Sequence, residues 1–196
     1  MRKEPRQARS RATVEVIVRA GARVLGNRGW ASFTTNEVAE VAGVSIGSVY
    51  QYFPDKLALV DAIRRRHLDD VLAVMQGIGQ DRRPLSQLVD DLVHGMIAAH
   101  SIHPALHPVL LDEVPGNAGT RSAHRAFEVE YLDRYRAVVA VSGRRDDPAV
   151  EMVVQVLSAA VEGVIHKAAR SRTLKSPELK SELVTMIHSY LQAPHC

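Results

Sequence analysis

Ser45, Ile46, Gly47 and Ser48, with Tyr50, Tyr52 and Lys56 close behind, gather small hydroxyls, one apolar side chain, a bare backbone position, two phenols and an ammonium into one short stretch. That set suits recognition of a DNA duplex rather than bond making. Hydroxyls donate or accept at base edges, isoleucine fits a thymine methyl, and glycine lets a helix approach the groove closely. Tyr50, Tyr52 and Lys56 are candidate phosphate contacts, together with the hydroxyls of Thr34 and Thr35 and the N–H groups beside them. Taken singly, each tyrosine reads equally well as a core aromatic, and Lys56 as a solvated charge.

Two short helices have to position these groups. Thr34 or Thr35 supplies a hydroxyl for an orphan N–H at the start of the first, and Glu37 puts an acid in its first turn. Val38, Ala39, Val41 and Ala42 recur at helical spacing, and Gly43 ends the helix where a positive φ costs little. Ser45 caps the second helix, Val49 and Phe53 point inward, and Pro54 disfavours helix at Phe53. Asp55 then starts another helix. The pattern is a helix-turn-helix, whose second helix presents its N-terminal residues, here Ser45 to Ser48, to the major groove. A supporting helix begins near Ser10, carries Val14, Ile17, Val18, Ala22 and Leu25 on one side and closes over Gly26–Gly29. Trp30 and Phe33 fill the small core behind it.

The run Gly29-Trp30-Ala31-Ser32-Phe33-Thr34-Thr35, then Val38-Ala39, Ala42-Gly43-Val44-Ser45, Gly47-Ser48-Val49-Tyr50, Tyr52-Phe53 and Lys56, resembles the DNA-binding domain of the TetR family of transcriptional regulators over roughly residues 10–60. The resemblance implies an all-α protein: an N-terminal three-helix DNA-binding domain and a larger C-terminal helical domain for ligand binding and dimerisation. It also implies repression relieved by a small molecule. By position, Thr35, Tyr50, Tyr52 and Lys56 match phosphate-binding residues of the family, and Asn36, Ser45, Ile46 and Ser48 match base-facing ones. Ser48 stands where threonine is frequent, and Val49 where leucine is.

Charge is distributed accordingly. Residues 1–56 hold nine Lys/Arg and five Asp/Glu, a balance of +4, while the remainder holds sixteen and seventeen, a balance of −1. Most of the positive charge lies in Arg2, Lys3, Arg6, Arg9 and Arg11, around a flexible basic arm of residues 1–9 that follows phosphates, enters a minor groove or serves only solubility. No apolar run appears long enough to span a membrane and no signal-peptide core follows the basic start, so a cytoplasmic protein without a membrane partner is expected. Cys196 is the single cysteine, which excludes an intramolecular disulfide.

The domain division expected is 1–9 for the arm, 10–56 for the reading domain and 57–196 for the effector and dimerisation domain. Beyond Lys56 the chain reads as helices. The stretch Ala149–Ile165 is apolar on nearly every side, so a second chain is its expected cover. With the last helix it predicts a homodimer interface through Val153, Leu157, Ala160, Val164, Leu183, Ile187 and Tyr190. His67, Met75, Met96, His100, Tyr131 and Tyr135 are candidate walls of an effector pocket or plain core. His103 and His107 have the spacing of metal ligands, but Pro104 and Pro108 break the helix that would align them, and no HExxH occurs. No metal, cofactor or catalytic residue is therefore expected. The expected function is a DNA-binding regulator, a repressor released from a palindromic operator by a small molecule. The alternative is a helical small-molecule-binding or metal-dependent enzyme with a vestigial DNA-binding domain.

Overall fold

Thr34 and Ser45 open their helices as the sequence requires: the Thr34 hydroxyl accepts the Glu37 N–H at 3.2 Å, and the Ser45 hydroxyl accepts the Ser48 N–H at 3.1 Å. Between them Gly43 takes φ 66°, ψ 31°, and the Val44 N–H returns to the Ala39 carbonyl at 3.0 Å, which closes the turn. The structure, a computed structural model, describes residues 8–76, 78, 83–115, 118–144 and 148–193. Residues 1–7 of the basic arm and Cys196 lie outside the described residues.

The described residues form nine α-helices and no strand. They are α1 (Ala8–Ser32), α2 (Thr35–Ala42), α3 (Ile46–Tyr52), α4 (Lys56–Met75), α5 (Leu85–Ser101), α6 (Leu106–Asp112), α7 (Ala118–Val139), α8 (Val150–Arg170) and α9 (Pro177–Gln192). Helical geometry in α1 breaks at Gly29, whose φ 70°, ψ 172° is a region open essentially to glycine.

Two compact units result. The first takes the chain up to Asp69 and, in addition, His103–Thr120; the second takes Asp70–Ile102 and the chain from Arg121 on. The division expected after Lys56 is thus moved in two ways. Leu59, Val60 and Ile63 of α4 are fully buried in the same cluster as Ile17, Leu25, Val38 and Phe53, so α4 starts inside the first unit. Leu106, Val109, Leu110 and Val114 join that cluster as well, which makes α6 part of it. At Gly26 an added Cβ would lie 3.3 Å from the Leu106 backbone nitrogen, so α1 and α6 meet almost backbone to backbone.

In the second unit Met75, Leu92, Met96, Tyr135, Val154, Leu157, Val161, Ile165, Leu183 and Ile187 share one buried cluster. By length and composition α8 is apolar enough to cross a bilayer, which corrects the expectation that no such run exists, but Val153, Val154, Leu157, Val161 and Ile165 are spent on this core. The same packing covers four of the seven residues expected at the dimer interface. Val153, Leu157, Leu183 and Ile187 are 4% exposed or less, all within their own unit. Ala160, Val164 and Tyr190 are only half-buried. The uncovered stripe of α8 is Met152, Val156, Ala159 and Gly163, spaced at helical repeats, with Met152 60% exposed.

Candidate nucleic-acid interface

Helix α3 divides sharply into two sides. Val49 and Phe53 are fully buried, whereas Ile46, Gly47, Tyr50 and Gln51 are exposed, with Ser48 half-buried at the edge. Asn36 is exposed on α2, as is the Thr34 cap before it. The base-facing set Asn36, Ile46, Gly47 and Ser48 therefore lies at the surface of the first unit, held from beneath by its core. Ser45 is exposed too, but its hydroxyl is committed locally, to the Ser48 N–H and, at 2.8 Å, to the Ser48 hydroxyl. The stretch Gly43–Gly47 also has the Gly-x-Ser-x-Gly spacing of a hydrolase nucleophile elbow. That elbow needs a strand entering the turn, and here a helix enters it, so Ser45 is a cap.

The phosphate set splits. The Tyr50 hydroxyl lies 3.1 Å from the Thr35 hydroxyl, which joins α3 to the start of α2 and leaves the Tyr50 ring 44% exposed. Thr35 itself is largely buried. Tyr52 is 6% exposed and packs in the core, because it lies three residues after Val49 and so shares its side of the helix. Gln51, exposed beside Tyr50, is the residue that helical spacing would have offered in its place.

Lys56 is tied down. Its Nζ donates to the Trp30 carbonyl oxygen at 2.8 Å and lies 3.7 Å from the centre of the Trp30 ring, a cation–π contact. An ammonium has three N–H donors, so this bond fixes its place without exhausting it. Arg28 donates from Nε to Glu37 at 2.9 Å and braces α1 on α2.

The residues expected around an effector are likewise sorted. Met75, Met96, His100, Tyr131 and Tyr135 are buried in the second unit. His67 falls in the first unit instead, because α4 begins there, and its Nε2 lies 2.7 Å from Nδ1 of His107. In the second unit the Tyr131 and Tyr135 hydroxyls are 3.1 Å apart, and Tyr131 is also hydrogen-bonded to Glu162, a residue the sequence reading passed over. Burial first, then Tyr135 and Glu162, holds the Tyr131 phenol well above its ordinary range; burial raises Tyr135 against the pull of its bond with Tyr131. Burial lowers the His100 pKa, partly offset by the bond its Nδ1–H donates to the Met96 carbonyl at 2.9 Å.

Glu162 is held above the usual carboxylate range, mainly by burial and further by Glu128, with the Tyr131 bond acting the other way. A carboxyl whose folded pKa exceeds its unfolded one binds more protons when folded between those two values, so stability falls as pH rises across that window. Glu162→Gln is accordingly expected to raise the melting temperature relative to the wild type at pH 8 and to leave it nearly unchanged at pH 4. Thermal melts at the two pH values check this, and a variant that melts lower than wild type at pH 8 contradicts it.

Compared with known proteins, residues 17–63 match the model of the bacterial regulatory proteins of the tetR family, and residues 84–191 match the model of the tetracyclin repressor-like C-terminal domain. The chain belongs to the TetR family. Over 84 residues it is 34% identical to the HTH-type transcriptional repressor KstR2 of Rhodococcus jostii (strain RHA1), a match covering 41% of this chain and 41% of that protein. The chain thus spans well under half of that relative. Across nearly the whole length the fold agrees with solved structures. A tetR-family transcriptional regulator from Streptomyces coelicolor superposes with a TM-score of 0.75 at 21% identity, covering 92% of this chain and 80% of that one. The regulator FadR from Bacillus subtilis, solved with stearoyl-CoA, superposes with 0.73 at 14% identity, covering 92% and 99%. The match to the C-terminal model places the second unit in the family as firmly as the helix-turn-helix places the first.

Proposed function

We propose that this TetR-family chain is a homodimeric, DNA-binding transcriptional repressor of the cytoplasm, released from a palindromic operator by a small molecule. The observation that carries the reading is the exposed row Ile46, Gly47, Tyr50 and Gln51 on a helix whose opposite side, Val49 and Phe53, is fully buried. From this rigidly backed surface Ile46, Gly47 and Ser48, with Asn36 of α2, read bases, while Thr34, Tyr50, Gln51 and Lys56 hold phosphates. One reading helix covers only half a site. Two-fold pairing through the uncovered α8 stripe of Met152, Val156, Ala159 and Gly163, with Ala160, Val164 and Tyr190 at its margin, supplies the second. The effector lodges among Met75, Met96, His100, Tyr131 and Tyr135 of the second unit, with Glu162 giving that apolar interior a polar anchor. It favours the conformer whose two reading helices no longer match successive major grooves, and its affinity difference between conformers sets the response.

A mobility-shift titration on the promoter beside its own gene tests this. A specific complex that weakens on substitution of Ser48 or Tyr50 supports the reading. A helical enzyme with an idle reading head gives no specific complex, or one indifferent to both substitutions. Within the complex the two kinds of contact separate. Lys56→Ala weakens binding to all sequences alike and lowers the salt slope by about one, whereas Ile46→Ala changes preference at a thymine position. Equal effects of the two on every operator base change contradict that division.

A further inference from the structure

The corner between α1 and α2 is reversed, and the peptide that follows the reversal is held on both sides. Gly29 makes the reversal with φ 70°. The next residue, Trp30, donates its backbone N–H to Oε2 of Glu113 at 2.8 Å, and its carbonyl accepts from Lys56 Nζ. Glu113 is the C-terminal cap of α6, its own N–H bonded to the Val109 carbonyl at 3.1 Å. The fit is close: a Cβ on Gly29 would lie 2.9 Å from the same Glu113 oxygen, so the carboxylate occupies the space a side chain would take. α6 is itself anchored, by the Leu106 contact with Gly26 and by Arg64, which donates to the Leu110 carbonyl at 3.2 Å.

We propose that Glu113 is a positioning residue for DNA reading: its carboxylate, clasping the Trp30 N–H, fixes the α1–α2 corner and so makes the pose of α3 depend on α6. The proposal rests on the DNA-reading function above. The physical chain is short. α2 begins at Thr35, directly after the Trp30–Phe33 turn, and α3 is fixed to α2 by the Gly43 turn and the Thr35–Tyr50 bond. A shift of α6 by an ångström or two stretches a 2.8 Å hydrogen bond past useful length, and the corner loses one of its two holds. Glu113 touches no phosphate in this scheme, and a carboxylate beside DNA repels it, so its loss acts on affinity through geometry and against its charge.

The test uses the full chain and a duplex selected by the wild-type protein from a randomised pool, with Glu113→Gln and Glu113→Ala compared. Glutamine removes the same charge but keeps an acceptor for the Trp30 N–H; alanine removes both. The expected result is about a tenfold loss of operator affinity for Glu113→Ala at an unchanged salt slope, and binding within about twofold of wild type for Glu113→Gln. Trp30 is the only tryptophan, so its emission reports the corner directly and shifts in Glu113→Ala without DNA. Alanine binding as tightly as wild type overturns the proposal, and so does a glutamine variant as weak as alanine. A loss of affinity that merely tracks a lowered melting temperature overturns it as well. Failure of the wild-type chain to select any duplex refutes the DNA-reading function instead.

Discussion

Val156→Asp is expected to yield a folded monomer that has lost operator binding. Val156 is 45% exposed, one turn from Met152 and in line with Ala159 and Gly163, and a Cβ added at Gly163 meets nothing within 4 Å. The opposite side of α8, from Val153 to Ile165, is packed in the unit's own core and does not depend on the substitution. A carboxylate on a two-fold stripe faces its own copy, so the dimer bears both a desolvated charge and a like-charge contact. Once the pair dissociates, the second half-site no longer binds intramolecularly, and affinity for a palindromic duplex drops about 10²- to 10⁴-fold. Light scattering coupled to size exclusion gives the mass, and anisotropy on the same sample gives the affinity. A dimer that survives with full affinity places the interface elsewhere.

Phe53→Ala is expected to abolish DNA reading by a different route. Phe53 is fully buried where α3 ends, its N–H bonded to the Val49 carbonyl at 2.9 Å, and it shares a cluster with Phe33, Leu25 and Val38. Truncating a buried phenylalanine costs about 3–5 kcal/mol, a large part of a small unit's stability. The floor beneath Ile46 and Tyr50 is then lost, while the second unit, with its separate buried cluster, keeps its helices. Calorimetry should show an early transition for the first unit alone, together with loss of the specific complex. A single transition shifted by under 1 kcal/mol contradicts this.

What could be read without the structure was local. Thr34, Gly43 and Ser45 each act within four residues of themselves, through a cap or a positive φ, so their roles follow from residue type and spacing. The same holds for Val49 and Phe53 beneath the exposed row. Tyr52, three residues after Val49, joins it in the core, a placement that helical spacing also offers. Four of the seven expected dimer residues, Val153, Leu157, Leu183 and Ile187, lie instead in the unit's own core. Helical periodicity shows that α8 has apolar residues on more than one side, but not which side the chain keeps for its own core; α5 packs on α8, the Val153–Ile165 side joins the second unit's buried cluster, and Met152 and Val156 stay uncovered.

The sequence by itself determined the helix-turn-helix, its caps and the all-α class, since hydrogen bonds over three or four residues require no distant partner. Only the tertiary structure decided that α6 belongs with the reading helices, that Lys56 lies on the Trp30 ring and that Glu113 holds the Trp30 N–H. The physical reason is separation. Glu113 and Trp30 stand 83 residues apart, and a carboxylate carries no mark of which N–H it will meet until the first unit's buried cluster has fixed where each helix ends.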